Sequence, residues 1–154
     1  MTEISFHFNA PDKLRYVCRL LRKSSAAGKR AAVVAPPALL GQIDALLWTF
    51  SAEDFVAHAR LHGTAGEADS AKAQLSSVLL CEHAQQSIHY EVLVNLGTSI
   101  APGFERFDRL IEVVSNQEAD RLAARSRWKH YADRGYPIIK HDLAANQSPT
   151  SDSA

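Results

Sequence analysis

Apolar and polar residues alternate from Glu3 to Asn9, EISFHFN, placing Ile4, Phe6 and Phe8 on one side of a strand. Pro11 and Asp12 then open a helix whose apolar positions Leu14, Val17, Cys18 and Leu21 keep helical spacing, and Ala26-Ala27-Gly28 ends it. Lys29 and Arg30 lead into AAVVA, a short apolar run suited to a buried strand. Pro36-Pro37 starts a second helix that reaches Leu47 or Trp48. Strand, helix, strand, helix in this order predicts an α/β unit with parallel strands.

The middle of the chain is more polar. Phe55 to His58 reads as a short strand, and Leu61 to Gln74, around Gly63 and Gly66, as a loop. Ser77 to Cys81 (SVLLC) and Tyr90 to Leu96 (YEVLVNL) are the next strands. Pro102 to Phe107 opens a short helix whose Phe104 and Phe107 pack on the sheet.

The stretch from Phe107 to Tyr136, FDRLIEVVSNQEADRLAARSRWKHYADRGY, carries the clearest local signals. Leu110, Ile111, Val113 and Val114 form a buried strand. Ser115 with Glu118 has the spacing of a capping box, in which each side chain satisfies an N–H of the first turn. The helix that follows runs to about Arg134, stopped by Gly135 and Pro137. Glu118 and Asp120 lie in its first turn and Lys129, His130 and Arg134 in its last, as the helix dipole favours. Tyr136 to Lys140 (YPIIK) closes the sheet, with Pro137 marking an edge strand. From Ala144 onward the composition is polar and small, predicting a domain over residues 1–143 and a disordered tail over 144–154.

Composition narrows the function classes. A chain of 154 residues with 46% apolar residues suffices for one domain with a real core. Lys plus Arg equals Asp plus Glu at 17 each, so no overall field draws it to nucleic acid or membrane, and a charged partner must be met by a local patch. Two cysteines, Cys18 and Cys81, are too few for a disulfide framework. With no signal peptide and no long apolar span, the expected location is the cytoplasm.

Tests for chemistry return little. Gly28-Lys29 is followed by Arg30, and the position five before Gly28 is Lys23, so the loop lacks the glycines and hydroxyl of a phosphate-binding loop. No G-x-G-x-x-G follows a strand. His58 and His62 have helical spacing without an intervening Glu, and Cys81, His83 and His89 lack the further ligands that zinc needs. Cys81 with a histidine has no orienting acid or oxyanion-hole motif. Glu53 and Asp54 are adjacent and diverge, so they cannot share a substrate. The expectation is a protein without catalytic residues, metal or cofactor.

Two surfaces remain. Arg121, Arg125, Trp128 and Lys129 fall on one face of the last long helix. Such a face is either simply solvated, with the indole in the core, or a dock for something acidic with an apolar end. Trp48, at the end of the second helix, and Phe55 after a polar spacer either cap the core or form an apolar patch for a protein partner.

The succession FHFN, GKRAAVVA, IDALLWTFSAEDFVAH, LVNLG, FERFDRLIEVV and ARSRWKHYADRGY resembles the chi subunit of bacterial DNA polymerase III from about Ile4 to Tyr136. The resemblance implies a single Rossmann-like, three-layer α/β domain with a mostly parallel central sheet and no nucleotide-binding glycine motif. It implies a non-catalytic accessory subunit of the clamp-loader complex in DNA replication. Such a subunit pairs with the psi subunit and binds the acidic C-terminal tail of single-stranded DNA-binding protein, which ends in Pro-Phe. It thus meets nucleic acid only indirectly, and no membrane. Val114, Arg121, Arg125, Trp128 and Lys129 match the family's tail-binding positions, with Trp128 where some members have Tyr and Arg121 where some have Lys. Trp48 and Phe55 match the surface used by psi and by a competing accessory helicase, with Ala57 in place of a usual Pro. Two other readings stand beside this one: a nucleotide-using α/β enzyme, and weak direct DNA binding by the basic helix.

Overall fold

A computed structural model describes residues 1–49, 56–61 and 73–146. Seven strands form one all-parallel sheet in the order β3-β4-β2-β5-β6-β1-β7. They are β1 (Glu3–Ala10), β2 (Ala31–Val34), β3 (His58–Arg60), β4 (Val78–Cys81), β5 (Val92–Asn95), β6 (Arg109–Ser115) and β7 (Ile138–Asp142). Helices α1 (Lys13–Ala26) and α2 (Pro37–Thr49) cover one face, and α3 (Glu118–Asp133) lies on the other. A four-residue helix, α4 (Leu143–Asn146), follows β7. This is the three-layer, Rossmann-like arrangement.

The central strands explain their own sequences. β2, β4 and β5 are covered on both faces and buried at every position, so, apart from the buried Asn95 that ends β5, they are continuous apolar runs rather than alternating ones. β1 alternates because its neighbours differ by face. Ile4 and Phe6 enter the layer under α3, whereas His7 turns toward the α1 side, where it bonds the Tyr16 hydroxyl. Asn9 takes a left-handed φ of 65°, a conformation that asparagine tolerates, and the register with β6 shifts between His7 and Ala10. Asp12 caps α1 by accepting from the Arg15 N–H at 3.2 Å. Gly28 leaves the helix at a φ of +77°, where a side chain would be strained.

Several boundaries differ from the sequence reading. The strand expected over 55–58 is His58–Arg60, fixed by pairing with β4, while Phe55 lies outside the described residues. Most of the loop expected over 61–74 also lies outside them. The short helix expected from Pro102 is a single 3₁₀ turn, Phe104–Arg106, which buries Phe104 and Phe107 beneath α3. β7 is an edge strand, as Pro137 predicts, but extends to Asp142. α4 takes in the first residues of the segment expected to be disordered, because Leu143 packs into the core on the α1 side; residues 147–154 lie outside the described part. Among the described residues no helix is long and apolar enough to cross a membrane.

Two imidazoles are held neutral by their surroundings. Burial, then the nearby His141 and Arg109, push His7 down to about 4, and burial with Arg30 pushes His89 down to about 4. Neither ring nitrogen of His89 meets a hydrogen-bond partner among the described residues. An unfolded chain takes up these protons near the ordinary value of 6.5, while the folded one resists until about 4. Stability is therefore full above about pH 6.5 and is lost as pH falls toward 4. Replacing His89 by Leu should flatten that loss and raise stability at neutral pH by about 1–3 kcal/mol, by removing unsatisfied polar atoms. Urea unfolding at both ends of this range measures it; an unchanged slope between the two would refute the assignment.

Candidate partner-binding site

The start of α3 is built differently from the expected capping box. The N-cap is Gln117, whose side chain makes no cap bond, and the helix begins at Glu118. Ser115 thus sits two residues too early to pair with Glu118. Its N–H instead donates to Asp120 Oδ2 at 2.8 Å, and its Oγ accepts from the Gln117 N–H at 3.3 Å. Asp120 also bonds Lys13 Nζ at 3.0 Å, tying the start of α3 to α1. Burial raises the Asp120 carboxyl, but the Ser115 N–H and the Lys13 ammonium outweigh it and hold it below the usual carboxylate range.

The inner face of α3 carries Ala124, Arg127 and Tyr131. Arg127 is 2% exposed and faces Glu112, which is 0% exposed in the middle of β6. Arg127 Nε donates to Glu112 Oε1 at 3.0 Å, and Arg127 Nη1 donates to the Thr98 carbonyl at 2.9 Å. The Tyr131 hydroxyl donates to Glu112 Oε2 at 2.6 Å, while Asn95 Nδ2 lies 3.3 and 3.2 Å from the two carboxylate oxygens. Burial pushes the Glu112 carboxyl up against the pull of these donors. Because the surrounding groups are almost all donors, they fit the ionised carboxylate. Burial and then the Glu112 charge push the Tyr131 hydroxyl up, so it remains a donor. This network fixes α3 over β5 and β6.

Beside it, toward the β1–β7 edge, a cavity of about 360 Å³ opens between α3 and the sheet. Phe6 and Phe8 of β1 and Val114 of β6 line it from the sheet, Arg121, Ala124, Arg125 and Trp128 from the helix, and Lys140 from β7. The half-buried Trp128 ring sits 4.9 Å from Phe6, and Lys140 Nζ stands 5.3 Å from the indole. The result is an apolar slot with three cations at its walls.

Four of the five residues singled out for this face, Val114, Arg121, Arg125 and Trp128, come together around the cavity. Lys129 does not line it; one position beyond Trp128, it is exposed on the helix. Sequence reasoning missed Lys140, although Phe6 and Lys140 are direct register partners. It also missed Phe6 and Phe8 as lining residues, although their alternation already placed them on one side.

The second surface is seen only in part. Trp48, in the last turn of α2, is 59% exposed, its ring edge-on to His58 at 5.1 Å. His58 is held at both nitrogens, by the Val56 carbonyl and Asp44 Oδ1, each at 2.8 Å. His62, Glu53 and Asp54, like Phe55, lie outside the described residues. Burial pushes the Cys81 thiol up to about 12 and the Cys18 thiol up to about 11, which makes both poor nucleophiles. Among the described residues no three His, Cys, Asp or Glu side chains converge as a metal would require.

Residues 1–139 match the family described as DNA polymerase III chi subunit, HolC. The chain belongs to that family. It is also 31% identical, over 149 residues, to DNA polymerase III subunit chi of Pseudomonas aeruginosa, covering 93% of this chain and 98% of that protein. Family membership places the chain among the subunits of DNA polymerase III, in DNA replication. The matched span includes the sheet strands β1 to β6 and the whole of α3, so it takes in every cavity-lining residue except Lys140.

Proposed function

We propose that this chi-family chain is a non-catalytic accessory subunit that links the psi subunit to the acidic C-terminal tail of single-stranded DNA-binding protein. The cavity beneath α3 supports the reading: its apolar floor suits a terminal Phe ring, and its cations suit a carboxylate and the acids preceding it. Arg125 takes the terminal carboxylate, because a guanidinium holds both oxygens with parallel bonds. Trp128, Val114, Phe6 and Phe8 hold the ring. Lys140 adds a third charge at the wall, while Arg121 and Lys129 steer the acidic run along the helix. Trp48, with Phe55, anchors psi, and an accessory helicase competes for the same patch.

Titrating the protein with the tail peptide, following Trp fluorescence at two salt concentrations, tests this. Arg125→Ala should weaken binding roughly 10- to 100-fold, as loss of a charge-assisted hydrogen bond implies, and leave the psi complex intact. Undiminished peptide binding by the variant, or loss of both partners from a folded variant, would overturn the two-site scheme. A thermal shift with ATP, GTP or NAD checks the enzyme reading, and a single-stranded DNA titration of wild type against Arg121→Ala, Arg125→Ala checks direct DNA binding by α3, which the variant would have to lose.

A further inference from the structure

The chain is neutral overall, but its charge is unevenly placed. Residues 13–30 hold seven of the 17 Lys and Arg residues and no Asp or Glu, so the rest of the chain carries a net charge of 10 − 17 = −7. That segment is α1 and the turn after it, on the opposite side of the sheet from the α3 cavity. Arg19, Lys23 and Lys29 are exposed, and no acidic side chain among the described residues pairs with them. Arg19 and Lys23 are four residues apart, so they stand in line on the helix surface about 6 Å apart along its axis.

Beneath the C-terminal half of α1 lies a cleft of about 280 Å³. Its floor is aliphatic, from Leu20, Val92, Val94 and Ile111, and its rim carries Lys23, Lys29 and Arg109 with no acidic lining residue. Arg109 is partly neutralised by Glu3, at 2.8 Å, so Lys23 and Lys29 supply most of the field. His7 and His141, whose rings are 4.5 Å apart, close the side toward β7.

We infer that this α1 face and the cleft under it bind the backbone of single-stranded nucleic acid, with a base entering the cleft. A row of cations suits a polymer with one phosphate per unit better than a ligand with a single charged end. The apolar floor and paired imidazole rings offer a flat, non-specific seat for an unpaired base, as single-strand-binding surfaces do. A duplex keeps its bases stacked and cannot use the cleft. The inference goes beyond the tail reading and does not depend on it, since the two sites share no residue.

The test is fluorescence anisotropy of a labelled oligothymidine with the full chain alone, without single-stranded DNA-binding protein. With three phosphate contacts, the wild type should bind saturably and lose about 20-fold in affinity between about 50 and 200 mM salt. The triple variant Arg19→Glu, Lys23→Glu, Lys29→Glu should abolish binding while circular dichroism shows it folded; Arg19→Gln, Lys23→Gln, Lys29→Gln should weaken it less. Arg121→Ala, Arg125→Ala on the other face should bind the oligonucleotide as the wild type does and lose only the tail peptide. Absence of oligothymidine binding, binding retained by the folded triple variant, or tighter binding of a duplex would each overturn the inference. So would tighter binding of a poly-glutamate peptide to this face, which would assign it to an acidic protein instead.

Discussion

Arg127→Ala should lower the unfolding free energy by about 3–5 kcal/mol, because it strands a buried carboxylate. Glu112 has no exposed surface, and among the described residues Arg127 is its only cationic hydrogen-bond partner. Tyr131 and Asn95 can still donate to it, but neither supplies a compensating charge. The loss also frees the Thr98 carbonyl from Arg127 Nη1. A second substitution separates the charge effect from packing: Arg127→Met with Glu112→Leu removes both ions and should recover most of the stability. Arg127 Nη2 has no partner among the described residues, so the native network is itself incompletely satisfied, and the apolar pair need not be worse. Urea unfolding of the three proteins decides the matter. A double variant as unstable as Arg127→Ala would show that shape, not uncompensated charge, is what Arg127 provides.

Phe6→Ala should cost about 3–5 kcal/mol, the range for truncating a buried aromatic in a core that relaxes only partly. Phe6 is 3% exposed and lies in a cluster of rings, 4.9 Å from Trp128 and 6.0 Å from Tyr131. It is also the floor of the α3 cavity, so the substitution enlarges the slot while loosening the indole above it. The same variant, where folded, should bind the tail peptide more weakly even though no charge has changed. Phe8, half-buried at the cavity's edge, should cost less stability when truncated. Equal losses for the two would mean that the ring cluster does not act as a core.

The fold was legible because local signals agree with the global arrangement. Ile4 and Phe6 alternate because they face α3 while Ser5 and His7 face away, and AAVV and VLLC are unbroken because helices cover both sides. The cavity was only half legible. Arg121, Arg125 and Trp128 recur along one helix, where spacing is informative, but Lys140 joins them through a pairing of β7 with β1 across 134 residues, Phe6 to Lys140. Periodicity carries no record of which strands become neighbours. Glu112 left a trace, as a carboxylate within LIEVV on an otherwise apolar strand. Its partner Arg127 is one of several cations on the same helix, and only the inward turn of α3 sets it apart from Arg125. The cap at Ser115 failed for a related reason: Asn116 and Gln117 stay outside the helix, so Asp120 rather than Glu118 reaches back.

The strand order also carries a consequence for synthesis. Of the seven strands β1 is made first, yet both its neighbours, β6 and β7, are made last. Its pairing with β6 joins Ile4 to Leu110, and that with β7 joins Ile4 to Ile138. At about 5–20 residues per second, the apolar side of β1 waits several seconds for partners while β2 to β5 are already being made. The half of the sheet that carries α3 and its cavity therefore cannot close until β6 and β7 have been made, and the nascent protein meets its first helpers with Ile4 and Phe6 still uncovered.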